Sequence, residues 1–446
     1  MRVTKEVFET IETAIAEKNT AFIAQITEDL HPADICAILQ EMDEMQQDFI
    51  LKSLDIEVVA LVLTEFDEDA QQTFLKSKTS QEIANYIDCL DSDDAVDMLK
   101  PLSIQVREEV VALMKKREKA RNIIHLLPYD ADTAGGLMAK EMIRANVNWN
   151  VLQCIEEIRR QAEKVEKIYS IYVVDNKGIL LGIVSLKKII LSADNTLIAD
   201  IFEEDIRSVA THQTEIEVAD LMRKYDLETL PVVNVQGKLL GRIAIDDVVD
   251  VITEQAELER QLMSGISADI EEDDNLFLLS RARLPWLIIG MFGGISGANF
   301  IGLFEKDLIL VPAMAFFIPL ITATGGNVGI QSSSIILQSL ANKTIFNDMY
   351  QRLLKVFLVA LINGIIIAGI VFAFVMIMGE PLKLALVVSL ALFFVIILAS
   401  FTGTITPIIL NRLRINPALA SGPFITTAND LLGLAVYFLT ARMLYF

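Results

Sequence analysis

The sequence predicts a multidomain chain: an all-α superhelical N-terminal domain, an α+β tandem repeat, a connecting helix and a five-helix α transmembrane domain. Three observations predict it. Charge is divided between an acidic front and an apolar back, a strand–turn–strand pattern recurs at an offset of 59 residues, and five apolar stretches close the chain.

The chain has 446 residues, 53% of them hydrophobic, and a net charge of -22 from 38 Lys and Arg against 60 Asp and Glu. So apolar a chain is not disordered, and so acidic a surface is not expected to bind nucleic acid, which needs basic groups to displace counterions. Residues 276–446 hold ten Lys and Arg against five Asp and Glu, a net of +5, which leaves -27 to residues 1–275. The three Cys (Cys36, Cys89, Cys154) and three His (His31, His125, His212) have no metal-ligand spacing, so zinc, haem and iron–sulfur chemistry are not expected. The start, Met1-Arg-Val-Thr-Lys-Glu6, has no apolar run, and the acidic part is therefore expected in the cytoplasm.

Residues 1–130 read as short helices. Val7, Ile11 and Ile15 have helical spacing, and a loose repeat follows at residues 34–43, 57–63, 82–91 and 94–99, each unit with an acidic start, an apolar stripe and a polar break. Stacked units of this kind build a superhelix; a generic helical bundle is the alternative.

Residues 131–200 and 201–246 form two copies of one unit. Ile171-Tyr-Val-Val-Asp-Asn-Lys-Gly-Ile-Leu-Leu-Gly182 recurs as Leu230-Pro-Val-Val-Asn-Val-Gln-Gly-Lys-Leu-Leu-Gly241, a strand, a turn needing Gly and a second strand. Helical segments at 151–162 and 216–225 precede the copies. The tandem resembles a pair of CBS modules. That family's ribose contact resembles Gly-x-x-(Ser/Thr)-x-x-Asp. The first copy has Ser185 but Lys188 for the acid, and the second has Asp247 but Ala244 for the hydroxyl. Neither is complete, so no nucleotide is expected.

Residues 247–275 read as a connecting helix and linker. Asp250, Glu254 and Glu257 share one helical face, where like charges repel unless a cation or basic partner lies between them; a solvated acidic face is the plainer reading. The run Glu271–Asp274 is expected as a solvated loop.

The transmembrane domain, 276–446, has apolar stretches at about 284–304, 308–341, 353–378, 382–410 and 423–444, each reaching the ~20 residues that cross a bilayer. Arg281, Arg283, Lys343, Arg352, Lys355, Arg412 and Arg414 lie in alternate loops, against Lys306 and Lys383 in the others. The positive-inside rule then puts the N-terminus in the cytoplasm and the C-terminus outside a plasma or inner membrane.

Asp430 lies within the last stretch, where a carboxylate must face a partner or a wet cavity. Pro319, Gly325, Gly326 and Gly329 are expected to unwind or kink the second stretch, freeing backbone carbonyls beside the amide oxygens of Asn327 and Gln331. Close packing through small residues is the alternative. Carboxylate, carbonyl and amide oxygens without thiol or imidazole suit a hard cation such as Mg²⁺, and a symmetric dimer would double the single Asp.

Gly325-Gly-Asn-Val-Gly-Ile-Gln331, Asn429-Asp-Leu-Leu-Gly433, Arg283-Leu-Pro-Trp286, Phe304-Glu305 and Asp132-Thr-Ala-Gly-Gly-Leu-Met138 together resemble the MgtE family of magnesium channels and transporters. The resemblance covers essentially the whole chain. It implies a homodimer in the lipid bilayer with a pore lined by the second and fifth spans. Asp430 would bind hydrated Mg²⁺ there, with Gly325, Gly326, Asn327 and Asn429 contributing oxygens. It implies a cytosolic Mg²⁺ sensor at Asp94, Asp97, Asp226, Asp246, Asp247, Asp250 and Glu259, with Glu254 and Glu257 standing in where Gln255 and Leu258 replace the family's acids. Gln338 stands where the family favours an Arg.

The expected function is Mg²⁺ uptake down the electrochemical gradient, closed by cytosolic Mg²⁺; Mg²⁺ is both cargo and regulator. The chain is not read as an enzyme, and no Gly-x-x-x-x-Gly-Lys-(Ser/Thr) loop points to ATP-driven transport. The alternative is a secondary divalent-cation exchanger coupled to Na⁺ or H⁺, and a further one is a membrane-anchored regulatory protein.

Overall fold

In the computed structural model the described residues are 5–162, 165, 168, 170–267, 270, 275–341, 349–420 and 422–445. Glu271–Asp274 and Lys343, which carried a loop and a topology expectation, lie outside them. The chain divides into two compact units, Met1–Ile252 and Thr253–Phe446.

The first unit opens with α1 (Lys5–Ala16), α2 (Thr20–Thr27), α3 (Pro32–Gln40), α4 (Glu44–Ser53), α5 (Ile56–Thr64), α6 (Glu68–Lys76), α7 (Ser80–Ile87), α8 (Ser92–Leu99), α9 (Ile104–Leu113) and α10 (Arg117–Leu126). Helices this short are marginal alone, so caps and packing hold them. Asp43 with Gln46 and Thr79 with Glu82 form capping boxes, and Asn19, His31, Asp67 and Ser103 cap other N-termini. The apolar stripes meet in one core, with Leu39, Leu63, Ile87 and Leu99 all 0% exposed. Alternate helices stack, α3 on α5, α5 on α7 and α7 on α9, so the repeat is a helix pair and the superhelical reading holds. Cys36 is buried in this core and Cys89 half-buried.

Two three-stranded sheets follow, of order β1 (Ile143–Asn146), β2 (Ile171–Val174), β3 (Leu180–Val184) and β4 (Val209–Ala210), β5 (Thr229–Val233), β6 (Leu239–Ala244). In each the first strand pairs parallel and the third antiparallel to the middle one, with a bulge at Val173/Val174 and again at Val232/Val233. Both turns are closed the same way. Asp175 Oδ1 accepts from the amides of Lys177 and Ile179, and Asn234 Oδ1 from those of Gln236 and Lys238. Gly178 and Gly237 take φ of 81° and 75°, which a side chain would strain. The helices are α11 (Val151–Ala162), α12 (Leu186–Leu191) and α13 (Glu215–Tyr225). Cys154 is buried under the first sheet. The core of the N-terminal helices runs without a break into the second repeat through Met138, Val209, Met222 and Val232, whereas the first repeat has its own core.

Helix α14 (Ile245–Met263) runs from the second repeat into the second unit. After it come α15 (Leu276–Gly302), α16 (Glu305–Leu310), a 3-10 turn at Pro312–Phe317, α17 (Ile318–Ala341), α18 (Met349–Ile377), α19 (Leu382–Arg412) and α20 (Pro423–Leu444). Five segments among the described residues are long and apolar enough to cross a membrane: Leu276–Gly302, Pro312–Leu340, Leu353–Ile377, Leu382–Arg412 and Pro423–Leu444. The first starts eight residues before the expected bound, carrying Arg281 and Arg283 on its first turns. α19 is the buried centre, packed by α17, α18 and α20, while α15 lies on the outside against α20.

Candidate ion pathway and acidic interface

The second span does not unwind. α17 is a continuous helix through Gly325, Gly326 and Gly329, so the carbonyls of Gly325 and Gly326 belong to its helical ladder and are not freed as cation ligands. Its glycines instead let helices touch. A Cβ on Gly326 would stand 3.1 Å from Thr426 Cγ2 and one on Gly329 only 2.0 Å from Asn429 Nδ2, both on α20, and one on Gly325 would stand 3.0 Å from Val395 on α19. Packing through small residues is what these positions do.

Asp430 is half-buried on α20 and looks onto this seam: its Oδ1 is 3.7 Å from the Cβ position of Gly326. On α17, Asn327, Gln331 and Gln338 are all exposed. Asn327 and Gln331 are four residues apart and share a face. Such an amide face has no place against lipid; it belongs to water or to another protein surface.

Asn429 is a different matter. It is 2% exposed, its Oδ1 accepts the Thr402 hydroxyl at 2.7 Å, and its Nδ2 has no hydrogen-bond partner among the described residues. Its oxygen ties α20 to α19 at the seam, a bond that the expected role as a pore oxygen would have to share.

The connecting helix ends against α20. The Met263 carbonyl lies 2.4 Å from the Cβ position of Gly422, and the Ser267 amide donates to Ala282 O on α15 at 3.0 Å. Glu254, Glu257 and Glu259 lie along the last three turns of α14, Glu259 Oε1 accepting from Gln255 Nε2 at 3.1 Å.

The first unit gathers acids around the N-terminus of α8. Asp94 and Asp97 lie on it, and Asp246, Asp247 and Asp250 on the first turns of α14. Burial, then the Asp247 carboxylate, pushes Asp94 up to about 7. Burial and Asp246 push Asp247 up to about 6, and burial raises Asp97 and Asp250 as well. Asp226 stands apart as the left-handed C-cap of α13, with φ 51°.

Three acids that the sequence did not single out sit closest. Carboxylate oxygens of Asp91, Asp93 and Glu141 lie within 4.8 Å of one another. Burial, then Asp94 and Asp247, holds buried Asp93 well above the usual carboxylate range. Glu141 Oε2 accepts from the Ser92 hydroxyl at 2.6 Å and the Ser92 amide at 3.1 Å, so a residue of the first repeat caps α8. Arg242 pairs with Asp91 at 3.3 Å and offsets part of the charge. Oxygen-only donors crowded at this cost fit a hard divalent cation. The acidic run at 91–94 was visible in the sequence; Glu141 gave no signal, being 49 residues from the Ser92 it caps.

The incomplete ribose motifs are spent locally. Ser185 caps α12 through the Lys188 amide, Lys188 pairs with Glu203 at 2.9 Å, and Asp247 Oδ2 accepts the Ala244 amide at 3.2 Å.

Family models match three parts of the chain: "MgtE intracellular N domain" at residues 30–132, "CBS domain" at 134–194 and 198–254, and the MgtE "Divalent cation transporter" at 318–440. The magnesium transporter MgtE of Thermus thermophilus is 33% identical over 97% of each chain, and that of Enterococcus faecalis 36% identical over 73% of this chain and 72% of the relative. The chain belongs to the MgtE family. Among solved structures, the cytosolic domain of the Mg²⁺ channel MgtE in complex with ATP aligns at 30% identity and a TM-score of 0.52, covering 55% of this chain and 99% of that one. The soluble part of a magnesium transporter aligns at 29% and 0.51, covering 56% and 99%. The MgtE-family cytosolic architecture of helices followed by a CBS pair is therefore the architecture of the first unit.

Proposed function

We propose that this chain carries Mg²⁺ across the membrane past Asp430, down its electrochemical gradient, as a homodimer whose exposed α17 faces meet around the path. The carrying observation is Asp430 at the Gly326 seam, with an exposed amide face on the same helix as that glycine. A half-buried carboxylate and an amide face on membrane spans are costly unless water or a hydrated ion is there. Mg²⁺ gives up its water reluctantly, so carboxylate and amide oxygens serve it through its hydration shell. Arg281, Arg283, Arg412 and Arg414 at one end of the spans support a cytoplasmic N-terminus and an outward C-terminus.

Cytosolic Mg²⁺ closes the path by binding where Asp91, Asp93, Asp94, Asp246, Asp247 and Glu141 crowd, with Asp97, Asp226, Asp250, Glu254, Glu257 and Glu259 adding charge nearby or along α14. Ions there relieve repulsion in one arrangement only, and that differential is what moves the equilibrium. α14 carries the change to α20 through the Met263–Gly422 contact. One solved MgtE cytosolic domain holds ATP, so the relatives lend no support to the expectation that nucleotide is absent.

The test is Mg²⁺ uptake into proteoliposomes under an inside-negative potential. Uptake is expected to vanish in Asp430→Ala and to be shut off in wild type by internal Mg²⁺. Equal uptake by the variant sinks the pathway assignment. Flux that requires a Na⁺ or H⁺ gradient supports the coupled exchanger instead.

A further inference from the structure

We propose that the cleft between α10 and the first CBS repeat is a binding site for a compact polyphosphate anion. The proposal goes beyond the transport reading and does not depend on it.

The cleft has a volume of about 700 Å³, within the range of small-molecule sites. Lys116, Arg117 and Lys119 line it from the N-terminal helices, and Lys140, Arg144 and Arg160 from the repeat. Two acids, Glu118 and Glu141, line it as well. Six cations in one cleft are out of keeping with a front part that carries -27.

Of these six cations, Arg160 alone forms an ion pair among the described residues. Lys119 donates to the Asp88 carbonyl at 3.2 Å and Lys140 to the Leu240 carbonyl at 2.9 Å, both uncharged acceptors. The Arg144 guanidinium has no hydrogen-bonded or ionic partner among the described residues; only its backbone is held, by Gln161. Arg160 pairs with Glu157. Glu141 Oε2 is already taken by Ser92 and the Lys140 amide. Burial first, and then Arg144, holds Lys140 below the usual lysine range. Burial likewise lowers Lys119, against Glu141, Asp91 and Asp88, which raise it. Cations held in a partly desolvated cleft are stabilised by a multivalent anion bound there.

The anion is small and phosphate-rich rather than polymeric. Cations on two facing walls match several phosphoryl oxygens at once, and guanidinium groups engage them in pairs. The net charge of -27 on residues 1–275 disfavours a nucleic acid. Ser185, Lys188 and Asp247, the positions of the CBS ribose motif, are not among the lining residues.

The test is calorimetric titration of the full-length chain, in detergent and in Mg²⁺-free buffer, with pyrophosphate, tripolyphosphate and ATP. Tripolyphosphate is expected to bind more tightly than pyrophosphate. Arg144→Ala and Arg117→Ala are each expected to weaken binding about tenfold, the scale of one lost charged hydrogen bond. Arg144→Lys retains most of it, and Lys188→Ala leaves it unchanged. ATP that matches tripolyphosphate points to a short inorganic oligophosphate as the ligand. ATP that binds tighter, with the same sensitivity to Arg144→Ala, points to a nucleotide. Absence of binding by all three probes, or binding that responds to Lys188→Ala and not to Arg144→Ala, overturns the assignment. Unliganded melting curves show that the variants fold.

Discussion

The carbonyl oxygen of Met263 occupies the space in which a side chain on Gly422 would begin, 2.4 Å from its Cβ position. The connecting helix and the start of α20 thus meet backbone to backbone, about two turns of α20 before Asp430. Gly422 also takes φ 66° and ψ -135°, a conformation that costs other residues about 1–3 kcal/mol. Gly422→Ala is expected to separate the two helices. Proteoliposomes carrying it should still pass Mg²⁺ but lose inhibition by internal Mg²⁺; inhibition at the wild-type concentration would contradict the coupling.

Gly329→Ala tests the seam. Its methyl group would stand 2.0 Å from Asn429 Nδ2 and 2.7 Å from Ile425 Cγ2. Overpacking of this kind costs about 1–3 kcal/mol, so thermal unfolding in detergent should shift down and uptake should fall. Gly290→Ala, where nothing lies within 4 Å, is the matched control.

Thr402→Val removes the hydroxyl that Asn429 Oδ1 accepts while keeping the shape. A buried polar atom left unpaired costs about 1–3 kcal/mol, and Thr402→Ser should recover most of the stability. If valine were as stable as threonine, Asn429 would not be the tie described.

Acid and Mg²⁺ should substitute for each other at the α8 interface. Burial raises Asp94 to about 7 and Asp247 to about 6 in the folded chain, against about 4 when unfolded. Groups raised on folding give their full stabilisation below the unfolded value and lose it as pH rises through the folded one. With chelator present, the unfolding transition of the first unit should therefore lie higher near about pH 5 than near about pH 8. Added Mg²⁺ should raise it strongly at the higher pH and little at the lower. Asp94→Asn should flatten both dependences. A melting temperature indifferent to Mg²⁺ at the higher pH would remove the cation from this interface.

Much of the fold was legible because it depends on local rules. The turn glycines Gly178 and Gly237 and the Asx residues three positions before them fixed both hairpins, and α11 lies where its apolar spacing put it. β1 and β4 escaped notice because strands of four and two residues carry no alternation to read. The second span was misread for a physical reason. Glycine that weakens a helix in water also admits a neighbouring helix, and only the neighbour, here α20, decides between the two. Asp430 stood out as a candidate because a carboxylate in an apolar run is visible in one dimension. Glu141 did not, because capping Ser92 is a three-dimensional fact.

The state of the three thiols has a practical consequence. Cys36 and Cys154 are buried, and Cys89 is half-buried with its Sγ donating to the Asn85 carbonyl. Burial raises all three, Cys154 to about 11, so little reactive thiolate is present near neutrality. The chain is close to a silent background for maleimide chemistry. A spin label or fluorophore attached to one introduced surface cysteine on α14 and another on α10 would report how far the two move when Mg²⁺ is added, with no need to remove the native thiols first.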